Sequence, residues 1–223
     1  EAQMDEVIRT YEEAAAKSPL HLMVGFNRRF SPHAVKAKSL LAGSVEPKVF
    51  VMTVNAGTIP ASHWTQDPHV GGGRIIGEGC HFVDLLRFLA GSPITDVQAR
   101  SVGGTPSDGI RNDKVTITLS FGDGSMGTIH YLANGNKSFP KERLEVFCGG
   151  RILVLDNFRR LIGYGWKGFH ANKLWRQDKG HAAEAAAFVD AIRNGGASPI
   201  PVGELIEVTR TTFEIARRIG SRA

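Results

Sequence analysis

A histidine at position 81 stands three residues after Glu78 and three before Asp84, in a run that opens Gly71-Gly72-Gly73-Arg74-Ile75-Ile76-Gly77 and closes Leu85-Leu86-Arg87-Phe88-Leu89. An imidazole titrates near neutrality, so a histidine in a cleft can take the proton of a hydroxyl while hydride leaves the same carbon. The residues alone also fit a buried helix histidine bonded to a backbone carbonyl. Glu78, His81, Leu85 and Phe88 share one face at helical spacing, and Phe82, Leu86 and Leu89 supply a second apolar face. Glu78 reads as an acid in the first helical turn, where the helix dipole favours it. Asp84 reads as orienting the imidazole or pairing with Arg87, at three-residue spacing from both.

Three other groups of residues invite a chemical reading. Asn27, Arg28 and Arg29 follow the apolar stretch Leu20–Phe26, at what would be the C-terminal end of a strand, where open α/β sheets bind ligands. One of the two arginines is expected to be a packing ion pair, and which one is left open. His63 and Trp64 precede the glycine run, where an aromatic face suits a sugar ring or simply covers core. Gly122-Asp123-Gly124-Ser125-Met126-Gly127 spells a dinucleotide fingerprint, but a strand pattern follows it. The pyrophosphate of such a site sits on a helix N-terminus, so this stretch is read as a hairpin turn. Cys80, His81, Cys148 and a loop histidine lack the paired spacing of a zinc site, and no metal is expected. Asn136-Lys137-Ser138 is taken as an accidental sequon.

The elements that must position these residues follow from periodicity. Helices are expected at Glu1–Lys17, from the cap Ser31-Pro32 to about Gly43, from the glycine run to Gly91, at His181–Arg193 and at Glu204–Ile219. Strands are expected at Leu20–Phe26, Lys48–Ala56, Ile94–Val102, Lys114–Phe121, Ser125–Ala133, Arg143–Cys148, Arg151–Asp156 and Arg160–Tyr164. Those after Ile94 read as a meander of hairpins, with Gly122-Asp123-Gly124 and Gly149-Gly150 as turns. The fold class is therefore α+β: a large, mainly antiparallel sheet with helices on one face, preceded by a helix and strand that look like the tail of an α/β unit.

Several of these stretches together resemble the glucose–fructose oxidoreductase / inositol dehydrogenase / MocA family of NAD(P)-dependent sugar oxidoreductases. Gly72-Gly73, Gly79, His81 and Asp84 match its glycines followed by Asp-x-Gly-x-His-x-x-Asp. Val24–Pro32 resembles its crossover between cofactor and substrate domains, and Gly180–Ile192 its late helix. Gly77 stands where the family has the first Asp, which there works with the histidine at the reacting hydroxyl. A further likeness is to the dehydrogenase half of fusions behind an alcohol-dehydrogenase-like module. The resemblance implies residues 1–30 as a Rossmann remnant and 31–223 as a substrate-binding and oligomerisation domain. It implies NAD or NADP as cofactor, a sugar, polyol or related hydroxy compound as substrate, His81 as the catalytic residue, and Asn27, Arg28, Trp64, Glu78 and Asp84 along the substrate. Asn27 and Arg28 would also border the cofactor. The alternative is a non-catalytic ligand-binding or assembly domain of the same fold.

Composition bounds the rest. The 223 residues are 42% hydrophobic and 22% charged, ordinary for a globular chain with a core. The net charge of +5 is scattered and carries no nucleic-acid motif. No apolar run reaches a membrane span. Two cysteines make no disulfide framework and suggest reduced thiols and a cytoplasmic setting. The mixed outer face of the sheet suggests a homodimer or homotetramer.

Overall fold

The computed structural model describes residues 2–18, 20–60, 62–67, 70–102 and 113–220. Helices lie at Ala2–Ala15 (α1), Pro32–Leu41 (α2), Cys80–Ala90 (α3), His181–Asn194 (α4) and Val202–Gly220 (α5). Strands lie at Val49–Asn55 (β1), Ile94–Ser101 (β2), Lys114–Phe121 (β3), Met126–Leu132 (β4), Glu142–Cys148 (β5), Arg151–Asp156 (β6), Arg160–Tyr164 (β7) and Ala171–Lys173 (β8). The expected helix residue Glu1 and the loop histidine His69 fall outside the described residues.

One eight-stranded sheet holds the chain together, in the order β2-β3-β4-β1-β5-β6-β7-β8. It departs from a plain meander at one place. β1 inserts between β4, its parallel partner, and β5, its antiparallel one, so the β4–β5 connection must cross it. β1 buries one face of its own: Phe50, Met52 and Val54 are inaccessible, while Val49 is exposed on the other side. β3, β4, β5 and β7 alternate in the same way. In β3 and β4, Val115, Ile117, Leu119, Ile129 and Tyr131 are fully buried on one face, while Thr116, Thr118, Thr128 and His130 line the other.

The helices cover the buried face. Five apolar side chains of α3 (Phe82, Val83, Leu85, Leu86 and Leu89) are wholly inaccessible, and its deepest contact is at Gly127 of β4. A Cβ there would lie 2.6 Å from the Leu86 side chain. Ser31 caps α2 as its sequence demands, its Oγ accepting from the Ala34 amide at 3.1 Å, with Pro32 in the first turn. α5 packs on α3 and β2. No helix among the described residues is long and apolar enough to cross a membrane.

The stretch Leu20–Phe26 is not a strand. Among its described residues it runs without ladder hydrogen bonds and pairs with none of the eight strands. An apolar run becomes a strand only beside a partner edge, and none lies next to it. With α1 and α5 it instead lines an apolar groove of about 270 Å³, floored by Val7, Tyr11, Leu22, Val24, Leu205 and Phe213.

Candidate active site

Two short turns bring the candidate residues together. The Asn27–Phe30 stretch is a single 3₁₀ turn, and it buries Asn27, Arg28 and Arg29. Three such side chains stay under cover only if each finds partners. The Asn27 amide donates to the Lys179 carbonyl at 2.8 Å. Arg28 grips Glu142 with Nε at 3.1 Å and Nη2 at 3.0 Å. Arg29 grips Asp84 at 3.0 and 2.6 Å and reaches Glu204 of α5 at 2.9 Å. Both arginines are thus packing ion pairs. Gly180 lets α4 approach this turn: its φ is 89°, and a Cβ would stand 2.4 Å from the Asn27 carbonyl oxygen.

The second turn is Ile75–Gly79, a π-helical turn running into α3. Its wider i→i+5 spacing breaks the helical register that the sequence suggested for Glu78 and His81. Glu78 therefore looks back to Arg74, one turn away, at 2.8 Å. The same carboxylate accepts from the Tyr131 hydroxyl at 2.5 Å and from Lys141 at 2.7 Å. Burial works to raise its pKa, but the hydrogen bonds from Lys141, Tyr131 and Arg74 win and hold it at about 2. At neutral pH Glu78 is an anion, tied to the scaffold.

His81 opens α3 between these two groups. Its ring meets Phe26 edge-on, with centroids 6.0 Å apart. Among the described residues, its buried Nδ1 has no hydrogen-bond partner. Burial first, and then the Arg28 charge, lower its pKa to about 4, against the opposing pull of Glu78 and Glu142. At neutral pH the ring is an uncharged imidazole that can accept a proton. Its neighbour Cys80 is the reverse case: burial raises the thiol to about 11, so it stays protonated and unreactive.

Asp84 neither orients His81 nor pairs with Arg87. The Arg29 fork comes across from the 3₁₀ turn and takes both its oxygens, while Arg87 turns to Glu207 at 2.8 Å. Burial raises the Asp84 carboxyl to about 6, against the pull of Arg29. Trp64 lies on a turn backed by Gly71, stacked on His63 at 5.9 Å and 61% exposed.

Sequence reading missed Glu142, Tyr131, Arg74, Lys141 and Lys179. Two had a visible signal. Extending the alternation of Leu144, Val146 and Cys148 back by one step puts Glu142 inward, and Tyr131 continues the inward series of Ile129. An inward acid in a core strand demands a cation, which points to Arg28. Lys141 and Lys179 lie outside regular elements, where periodicity carries no information.

The comparisons agree with this architecture. Residues 45–152 match the model of the GFO/IDH/MocA C-terminal domain. This stretch, just under half of the chain, is similar to that family's C-terminal domain. The uncharacterized oxidoreductase YrbE of Bacillus subtilis (strain 168) is 30% identical over 151 residues, covering 66% of this chain and 43% of that protein. Inositol 2-dehydrogenase of Rhizobium meliloti (strain 1021) is 24% identical over 200 residues, covering 85% and 60%. The chain thus spans about half the length of these Gfo/Idh/MocA relatives. Two solved structures share the fold: an oxidoreductase domain protein from Kribbella flavida (TM-score 0.79, 20% identity, 100% of this chain and 70% of that one) and GenD2 from gentamicin A biosynthesis in complex with NAD (TM-score 0.70, 20% identity, 96% and 66%).

The described residues do not fit a dinucleotide. The literal G-x-G-x-x-G is the β3–β4 hairpin, with no helix to receive a pyrophosphate. Asn27 and Arg28, expected beside the cofactor, are 3% and 6% exposed and spend their polar groups on Lys179 and Glu142.

Proposed function

We propose that this chain is the substrate-binding part of an NAD(P)-dependent dehydrogenase that oxidises a hydroxyl of a sugar, polyol or related compound, with His81 as proton acceptor. Oxidation of a secondary alcohol to a ketone releases one hydride and one proton. The hydride needs an acceptor, which a nicotinamide held by the rest of the protein would supply; the proton needs a neutral base held against the hydroxyl. The observation that carries the reading is the uncharged His81 ring at the opening end of a buried helix, its neighbours Arg28, Glu78 and Glu142 each fixed by ion pairs. Charged neighbours fixed in this way cost little reorganisation as the ring takes up a proton. The inositol dehydrogenase relative and the NAD-bound structural neighbour support a polyol substrate and a nicotinamide cofactor.

The test has two arms. The full-length gene product, given NAD⁺ or NADP⁺ and a panel of polyols and sugars, should produce reduced cofactor, read at the nicotinamide absorbance. No reduction across the panel, together with measurable sugar binding, would favour a ligand-binding domain of the same fold. The isolated chain titrated with NADH should show no site tighter than about millimolar, the scale of a few residual contacts.

A further inference from the structure

The charges around His81 do not cancel. Two buried or half-buried acids sit there, and each is held twice. Glu142 takes Arg28 through two hydrogen bonds and Lys179 at 2.7 Å. Glu78 takes Arg74 at 2.8 Å and Lys141 at 2.7 Å, with the Tyr131 hydroxyl as a neutral third donor. Four cations thus face two carboxylates, a surplus of two positive charges over the two groups whose acids, Glu78 and Glu142, both act on His81. The two groups are physically joined: Arg28 lies over the Phe82 ring at 4.7 Å, Phe82 packs on Tyr131 at 6.3 Å, and Arg74 lies over Tyr131 at 5.3 Å. Arg29, Asp84 and Glu204 form a separate cluster that engages α5.

The cations divide by accessibility. The arginine side chains are 7% and 3% exposed and locked on their acids; the lysines are 17% (Lys179) and 40% (Lys141) exposed. Each acid keeps its arginine if its lysine turns away, so the lysines are the spare charges. Gly77, itself exposed, leaves open space: a Cβ there would meet only the Gly71 carbonyl oxygen, at 3.9 Å. A surplus of half-covered cations on the acids that neighbour His81, with open space over Gly77, fits a ligand that brings its own negative charge.

Building on the dehydrogenase reading, we propose that the substrate is an anionic sugar or polyol, carrying a carboxylate or phosphate that Lys141 and Lys179 hold while its hydroxyl meets His81. The experiment uses the full-length protein with glucose, glucuronate and glucose 6-phosphate, which share a ring and differ in the group at C6. The expected result is a preference of at least tenfold in kcat/KM for one of the two anions over glucose. Lys141→Gln and Lys179→Gln should each shrink that preference severalfold, and added salt should shrink it as well. Whichever anion wins separates the carboxylate from the phosphate. Equal use of all three sugars, or a preference untouched by both variants, would overturn the inference and leave the dehydrogenase reading standing. A rise in KM for NAD(P)⁺ alone in the variants would assign the lysines to the cofactor phosphates and also overturn it. Calorimetric titration of the same three sugars reads the preference even if no turnover occurs. Absence of anion-selective binding there would again count against it.

Discussion

Glu78 shows how one side chain sets both electrostatics and stability at this site. It is pinned by Arg74, Tyr131 and Lys141, and its pKa falls to about 2 from an ordinary value of 4.5. A carboxylate whose folded pKa is depressed contributes stability that is fully present above the unfolded pKa and lost as pH falls through the folded one. The window is therefore about pH 4.5 down to 2. Glu78→Gln keeps the shape but not the charge, and strands Arg74, which is 4% exposed. We expect the variant to be less stable than the parent at pH 7. Its stability should also change less between pH 4.5 and 2, as read by urea denaturation across that range. Equal acid sensitivity in the two proteins would show that the ion pairs around Glu78 contribute nothing to folding.

At the scale of elements, most of the frame was legible in the sequence. β3 and β7 begin and end where alternation places them, because strands with one buried face advertise it every second residue, and β6 is bounded by the Gly149-Gly150 turn before its apolar run. The cap at Ser31 was equally plain. What sequence could not show was long-range: β1 lying between two meanders, the absence of a partner for residues 20–26, and the π-helical turn that moves Glu78 out of register with His81. Each is decided by a neighbour distant in sequence. The same limit hid the seating of α4 on the Asn27–Phe30 turn, which Gly180 permits. Gly180→Ala places a methyl 2.4 Å from the Asn27 carbonyl oxygen and 2.5 Å from the Ser31 amide nitrogen, at a φ of 89°. It should cost about 1–3 kcal/mol, the usual scale for forcing a side chain into a left-handed, crowded position. Thermal unfolding checks this. An unchanged melting temperature would mean that α4 can move away without loss.

At the scale of the molecule, the face of the sheet turned away from the helices carries an exposed apolar row. Register puts Met126, Val49, Phe147, Ile152 and Tyr164 in one row across five neighbouring strands. Four of these are well exposed: Met126 at 44%, Val49 at 42%, Phe147 at 39% and Tyr164 at 54%. A continuous apolar row is unusual on a lone chain, and closed twofold pairing is the commonest way to cover one. We propose that two copies pair through this face. Phe147→Asp puts a charge at the middle of the row while leaving the buried face untouched. It should shift sedimentation from dimer or tetramer to monomer with the melting behaviour of a folded protein. A parent protein that stays monomeric at high concentration would dismiss the proposal.

The central claim is that His81, kept neutral by burial and by Arg28, takes the substrate proton. It is tested most directly by the turnover of His81→Asn in the full-length enzyme, against wild type and His81→Ala. Asparagine keeps a polar side chain of similar reach but cannot accept the proton. Both variants should lose about a hundredfold or more in kcat, the ordinary scale of general acid–base help, with KM changed less. His81→Asn should unfold at close to the wild-type temperature. The wild-type rate should fall on the acid side only near pH 4, where the ring becomes charged, and not near the ordinary histidine value of 6.5. A His81→Asn enzyme that turns over at the wild-type rate, or that is lost only because it no longer folds, would contradict the account and make His81 a packing residue of α3.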